Sequence, residues 1–265
     1  MVKKLLKHEL YALFRILIFI AAAAVLFAVL SRVLIYVNMA SYEKTAGNLT
    51  VVLFLVIFFY IIAICALVTA AWALGISRFY KTLFTGEGYM TLSLPVTPMQ
   101  LIWAKLLSSL IAMAFASVVS ILSLGIFLIG WNSGIMESIG GVFGELFGLL
   151  AEFLKNEPLY LVEYLILGIV SIPMSLLVVY AIICVGQMFT SRRGVLTVLI
   201  VFGVYTVSSL FNAFALTPLM NVFVDLGDVG THLSLWLQIV MYVAVDVGCF
   251  FLVRYILKNK VNLIA

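Results

Sequence analysis

The sequence predicts an all-α integral membrane protein with six transmembrane helices in a single transmembrane domain, 1–265. The chain is 66% hydrophobic and only 10% charged, and its mean hydropathy is +1.28. Soluble domains carry about 25% charged residues, so most of this surface is expected to face lipid. Lipid cannot satisfy free backbone groups, so long apolar runs are predicted to be helices. Runs that reach the required length of about 20 residues lie near 14–37, 50–76, 100–130, 159–189, 194–216 and 233–257.

The first residues predict an amphipathic helix over 1–13 that lies in the membrane interface before the first span. Apolar and polar side chains separate onto two faces at helical spacing. Such a helix buries its apolar face at the headgroup boundary rather than crossing the bilayer. The apolar face holds Leu6, Leu10, Leu13 and Leu17, and the polar face holds Lys4, His8, Tyr11 and Arg15.

Charged residues separate between the two sets of helix ends. By the positive-inside rule, this pattern predicts a multi-pass protein of the cell membrane whose N- and C-termini are both cytoplasmic. The predicted cytoplasmic side carries Lys3, Lys4, Lys7, Arg78, Lys81, Lys105, Arg192, Arg193, Arg254, Lys258 and Lys260. The opposite loops carry Glu43, Glu137, Glu145, Glu152, Glu157, Asp225 and Asp228.

The most elaborate polar segment, 77–98, lies between the second and third spans on the predicted cytoplasmic side. The run 78–84 can extend the second helix into the cytosol, and Gly86 and Gly88 then break it around Glu87. Pro98 suits the first position of the third helix. The segment also exposes apolar side chains, among them Tyr89 and Met90, that would gain from a protein groove. It is therefore predicted to meet a protein partner, although a simple connecting loop is the alternative.

The chain lacks the sequence motifs of common catalytic sites, so it is not expected to be an enzyme. It contains no G-x-x-x-x-G-K-[ST], H-E-x-x-H or G-x-S-x-G motif. Its three cysteines lie inside apolar runs and form neither a metal-ligand spacing nor a disulfide framework. The two histidines, His8 and His232, are predicted to lie on opposite sides of the membrane.

Polar residues inside the spans are the next candidates for function. Asp246 is the one acid expected deep in a span, where it can be a proton or cation site or simply hydrogen-bond a neighbouring helix. A polar stripe in the fifth span can line a substrate path or join two helices, and its members are Tyr205, Ser208, Ser209 and Asn212. Small residues that recur along the third span favour close helix packing, namely Ser108, Ala112, Ala116 and Ser120.

The segment 78–107 resembles the permease subunits of type-2 ATP-binding-cassette (ABC) exporters, in their small bacterial form. The matching residues are Arg78-Phe79-Tyr80-Lys81, then Thr85-Gly86-Glu87-Gly88-Tyr89-Met90-Thr91-Leu92-Ser93-Leu94-Pro95-Val96, then Leu101 through Lys105-Leu106-Leu107. The predicted topology of the whole chain is similar to that family as well. The resemblance implies that 77–98 carries a short cytoplasmic coupling helix, which docks on a separate ABC ATPase subunit.

The resemblance also implies partners, cofactors and site residues. ATP and Mg²⁺ would bind to the partner ATPase and none to this chain. The ATPase-coupling contact would comprise Arg78, Lys81, Glu87, Tyr89 and Met90. A second permease copy or a paralogue would complete the substrate path, with Cys65, Thr69, Tyr205, Ser208, Ser209 and Asn212 as its candidates. No contact with nucleic acid is expected.

The expected function is therefore outward transport of an amphipathic or hydrophobic substrate, such as a peptide, powered by the ATPase. Two alternatives remain. The chain could be a proton-coupled secondary carrier that uses Asp246, or a membrane sensor or scaffold that transports nothing.

Overall fold

A computed structural model describes residues 2–40, 46–85, 97–128, 148, 155, 158–188, 193–224 and 226–259. In this part of the chain, six helical runs are long and apolar enough to cross a membrane, as predicted for an all-α, multi-pass membrane protein. These candidate spans are Leu5–Val37, Val51–Phe84, Pro98–Phe127, Pro158–Gly186, Thr197–Phe223 and Asp228–Lys258.

The helices are longer than the predicted spans at several ends. They are α1 (Val2–Ala40), α2 (Ala46–Phe84), α3 (Pro98–Leu128), α4 (Pro158–Gly186), α5 (Arg193–Phe211), α6 (Thr217–Val224) and α7 (Asp228–Asn259). A π-helical turn, Asn212–Leu216, joins α5 to α6, so the fifth span is one interrupted helical run. Pro98 begins α3, the position expected for a proline that needs no backbone N–H.

Two of the predicted boundaries differ from the structure. Helix α1 continues without a break past residue 13, so the interfacial position of 1–13 stays a prediction. The predicted fifth span ends at 216 and the sixth begins at 233, whereas α6 continues to Val224 and α7 begins at Asp228. The tight turn between them uses Gly227, whose φ of 79° suits a residue without a side chain.

The described residues divide into two compact units. The first comprises 1–77 and 107–146, and the second comprises 78–106 and 147–265. The division falls inside α2 and α3, so the last turns of α2 and the first turns of α3 belong to the second unit. The helix ends on either side of 86–96 therefore belong with the fourth, fifth and sixth spans.

In the first unit, α1 packs along a stripe of small and aliphatic residues. Leu13 and Leu17, from the face predicted to be apolar, are buried with Leu67 and Ala71 of α2 and with Ala112 of α3. All four members of the predicted small-residue stripe of α3 are buried, and Ala112 and Ala116 belong to this core. Small side chains let helix backbones approach closely, so this stripe serves helix packing as expected.

In the second unit, α4 packs extensively against α7, and it also contacts α5. Helix α6 also packs against α7, which begins four residues after α6 ends. Buried residues are concentrated in the C-terminal half of α4, whereas those of α7 lie near both of its ends. Further buried residues of this unit lie at the beginning of α3 and at the end of α2.

Candidate functional site

Of the five residues predicted to form the ATPase-coupling contact, the structure describes only Arg78 and Lys81. Arg78 is half-buried and Lys81 is exposed, and both lie in the last two turns of α2. Glu87, Tyr89 and Met90 lie outside the described residues, so their contacts stay predictions. The structure therefore describes the base of the loop and both helix ends that hold it.

A hydrogen-bonded pair joins these two helix ends. The Lys105 ammonium of α3 donates a hydrogen bond to the Thr82 hydroxyl of α2, and that hydroxyl donates to the Arg78 carbonyl oxygen at 2.6 Å. Lys105 is only 2% exposed and Thr82 only 6%. A buried ammonium is costly unless it is hydrogen-bonded, so this contact is needed where Lys105 lies.

An aromatic stack joins the end of α2 to α4. The rings of Phe79 and Tyr180 lie nearly parallel, 6° apart, with their centroids separated by 3.9 Å. Both side chains are fully buried, at 0% exposure. A tilted contact between Trp103 and Phe250, with centroids 5.5 Å apart, joins the start of α3 to α7. Both helices that flank 86–96 therefore contact a helix of the second half of the chain.

The candidate path residues of the second span lie on one exposed face of α2. Cys65 and Thr69, one helical turn apart, are both exposed. The Thr69 hydroxyl donates to the Cys65 carbonyl oxygen at 2.7 Å, within its own helix. This bond satisfies the hydroxyl proton within the helix, and the hydroxyl oxygen can still accept a hydrogen bond from a ligand.

The polar stripe of the fifth span is fully exposed. Tyr205 is 73% exposed, and Ser208, Ser209 and Asn212 are also classed as exposed. The Asn212 amide nitrogen donates to the Ser208 carbonyl oxygen at 2.8 Å, and the amide oxygen is a further hydrogen-bond acceptor. No described side chain of Thr197–Phe223 is buried, so this span presents its stripe away from the described packing of its own chain.

The stripe ends at a π-helical turn that the sequence pattern did not predict. The Asn212 carbonyl oxygen accepts bonds from the Thr217 backbone N–H and from the Thr217 hydroxyl, the latter at 2.8 Å. Pro218 follows directly, and in a regular helix its ring would clash with the carbonyl four residues earlier. A wider turn avoids this clash. Pro218 was thus the available sequence signal, and π-helical turns are frequent at functional sites.

Asp246 lies on α7, where its Oδ1 atom is buried and has no hydrogen-bond partner in the described part of the chain. The hydrogen bond to a neighbouring helix, one of the two alternatives for this residue, is therefore not made to this oxygen within the described part of the chain. An unsatisfied carboxyl oxygen at this depth can accept a proton or a ligand.

A buried carboxylate that sequence reasoning missed, Glu163, connects α4 to α7. The Trp236 indole N–H donates to one Glu163 oxygen at 2.8 Å, and Nδ1 of His232 lies 2.8 Å from the other. The Tyr160 ring stacks on His232 at 4.1 Å, and its hydroxyl is hydrogen-bonded to Thr231. Glu163 is only 6% exposed, and both of its carboxyl oxygens are hydrogen-bonded to protein groups instead of to water.

The signal for this cluster was present in the sequence. Glu163 follows the start of an apolar run by one turn, and His232 and Trp236 are spaced four residues apart, which places them on one helix face. The sequence did not show that α4, which carries Glu163, packs against α7, which carries His232 and Trp236. Among the described residues, no group of three or more His, Cys, Asp or Glu side chains could hold a metal ion.

Comparison of this chain with protein-family models, with curated proteins and with solved structures finds no match. The exporter resemblance therefore rests on the sequence of 78–107 and on the predicted topology.

Proposed function

We propose that this protein is the transmembrane permease subunit of an ATP-driven ABC exporter that moves an amphipathic or hydrophobic substrate outward. The observation that supports it best is the construction of the loop base. Both helix ends beside 86–96 carry buried residues, and they contact α4 and α7 through Phe79–Tyr180 and Trp103–Phe250. A connecting loop needs no such support, whereas a loop that receives force from a partner does.

The proposed orientation puts this loop base in the cytoplasm. The basic residues Arg78, Lys81 and Lys105 lie near it, and Arg254 and Lys258 lie at the C-terminal end of α7. Anionic lipids of the inner leaflet attract such residues. The Glu163 cluster then lies toward the outer face, with α4 and α7 as the links between the two faces.

The energy source in this proposal is a separate subunit. This chain has no P-loop, so ATP and Mg²⁺ bind to an ABC ATPase that docks on the 77–98 loop. A short coupling helix around Glu87, Tyr89 and Met90 forms the contact, with Arg78 and Lys81 beside it. Closure of two ATPase subunits on ATP displaces two such loops and moves the spans.

The proposed substrate path lies between two permease copies. The exposed stripe of the fifth span supports this arrangement, because polar side chains that face lipid alone are unfavourable. A second copy, or a paralogue, covers Tyr205, Ser208, Ser209 and Asn212 and leaves hydroxyls for an amphipathic substrate. Cys65 and Thr69 of the second span contribute the remaining candidates.

Co-purification tests the proposal. The tagged chain is extracted from its native membrane, and the bound fraction is assayed for ATP hydrolysis and sequenced for a P-loop protein. We expect an ATPase with the wild-type chain and its loss with Glu87→Arg. Glu137→Arg is the matched control, since it makes the same change in a loop predicted to lie on the other side of the membrane. If no P-loop ATPase binds to the wild-type chain, the proposal is wrong.

A second candidate function, proton-coupled transport, is favoured by Oδ1 of Asp246, which is buried and has no partner among the described residues. Asp246→Asn separates the two. In a proton-coupled carrier it abolishes transport driven by a pH gradient in vesicles without ATP. In the exporter, transport still requires ATP and continues in the variant.

A further inference from the structure

We infer that the cytoplasmic loop passes its displacement to α4 and α7 through a fixed anchor, formed by Phe79, Thr82, Lys105 and Tyr180. This anchor cluster acts in addition to the stiffness of α2 and α3. The inference rests on the proposed function, since it assigns the route by which force from the ATPase reaches the rest of the chain.

The first part of the anchor cluster is the stack of Phe79 on Tyr180. The two buried rings lie 3.9 Å apart and nearly parallel, so the end of α2 cannot slide along α4 without separating them. Packed aromatic rings of this kind contribute large buried areas. Closely packed contacts transmit displacement because interiors are dense and hardly compressible.

The second part is the bond from Lys105 to Thr82. It ties the first turns of α3 to the last turns of α2, across the two ends of the loop. An aliphatic side chain could fill this buried space without the cost of desolvating an ammonium. A lysine in this position instead makes a directional hydrogen bond to Thr82, so that the two helix ends move together.

The third observation concerns the helices that pack with the ends of α2 and α3 beside the loop. The segments 78–106 and 147–265 form one compact unit, so the loop base groups with the last three spans. Trp103 adds a contact from α3 to Phe250 of α7. Helices α4 and α7 are packed together and are joined again at the Glu163 cluster. A contiguous chain of contacts therefore runs from the loop base to the opposite ends of α4 and α7.

The experiment measures motion at the start of α7, the end of that helix far from the anchor cluster, in variants that change only the anchor cluster. The permease–ATPase complex is placed in lipid nanodiscs, with Cys65, Cys184 and Cys249 replaced by Ala and one spin label at Leu233, an exposed residue near the start of α7. The distance between labels on the two copies is measured without nucleotide and with Mg-ATP and vanadate. The bound ATPase per permease is measured on the same samples.

Two variants disrupt the anchor cluster, Tyr180→Leu and Lys105→Met. We expect each to keep the ATPase bound and to reduce the nucleotide-dependent distance change by half or more. The controls are Tyr164→Leu, an exposed tyrosine of the same helix, and Lys258→Met, an exposed lysine of α7, and both should behave as wild type. Tyr180→Phe keeps the stacked ring and should restore the full change.

The outcomes separate the two proposals. A full distance change in both anchor variants overturns the anchor and leaves the exporter function standing. No ATPase on the wild-type complex overturns the exporter function, and the anchor with it. If Tyr180→Leu does not fold, Lys105→Met and Phe79→Leu test the same route from the other members of the cluster.

Discussion

Glu163 illustrates how a single buried carboxylate can hold two membrane helices together. Its two oxygens each receive a donor from α7, one from Trp236 and one from His232. Hydrogen bonds to a charged group contribute about 1.5–3 kcal/mol, more than bonds between neutral groups. Asp246 is the contrasting case, because its buried Oδ1 has no such donor among the residues that the structure describes. A satisfied acid of this kind stabilises structure, whereas an unsatisfied one is available for a ligand.

At the residue scale, we predict strong coupling between Glu163 and Trp236. Trp236→Phe removes the indole N–H and keeps an aromatic ring, and Glu163→Gln removes the charge. In a double-mutant cycle of thermal unfolding in detergent, we expect a coupling free energy of about 1–2 kcal/mol. The same cycle between Glu163 and the exposed Tyr164, changed to Phe, should be additive. Additive effects for Glu163 and Trp236 would show that their bond contributes no stability.

At the scale of whole elements, the close crossing of α2 and α3 in the first unit depends on a glycine. A Cβ added at Gly75 would lie 2.6 Å from the Ser109 hydroxyl oxygen and 2.9 Å from its Cβ. Atoms cannot approach this closely, so the helices would have to separate. The small-residue stripe of α3 follows the same principle, since short side chains let helix backbones pack closely. Close packing matters in a membrane because lipid tails are as apolar as the side chains, so the hydrophobic effect does not drive the helices together.

We therefore predict opposite effects for two Gly→Ala substitutions in spanning helices. Gly75→Ala should destabilise the protein by about 1–3 kcal/mol, because overpacking outweighs the better helix propensity of alanine. Gly125→Ala meets no atom within 4 Å and should be neutral or stabilising by up to about 1 kcal/mol. Thermal unfolding of the purified variants measures both. Equal effects of the two substitutions would contradict a packing role for Gly75.

At the scale of the whole molecule, the fifth span remains without a buried face among the described residues. Its π-helical turn and its polar stripe lie together, and a symmetric dimer would bring the same stripe from each copy to the two-fold axis. In each of the other spans, between 17% and 33% of the residues in an apolar 18-residue stretch are buried within this chain. The fifth span is therefore the least buried of the six within the described part of this chain.

We predict that the two copies meet at this stripe. In a background without cysteines, Ser209→Cys should form a disulfide-linked dimer in native membranes on mild oxidation. Val207→Cys is the matched control, since it lies on the opposite face of the same helix and is also exposed. It should stay monomeric on a non-reducing gel. Cross-linking at Val207 and none at Ser209 would place the stripe toward lipid or substrate instead.

The sequence by itself determined the number of spans, their helical form and the face of α1 that packs inside. These properties depend on local pattern, because bilayer thickness fixes span length and helical periodicity fixes which side chains share a face. The small-residue stripe of α3 was predictable for the same reason. The continuation of the fifth span through Thr217–Val224 could not be predicted in this way, because the helix continues there through a π-helical turn beside Pro218.

Only the tertiary structure decided which polar residues are buried and what they contact. Lys105 was one of several basic residues at helix ends, and its partner Thr82 lies 23 residues earlier in the chain. Glu163 receives donors from residues 69 and 73 positions away. No local pattern encodes such pairs, because they depend on which helices become neighbours when six similar apolar helices pack together.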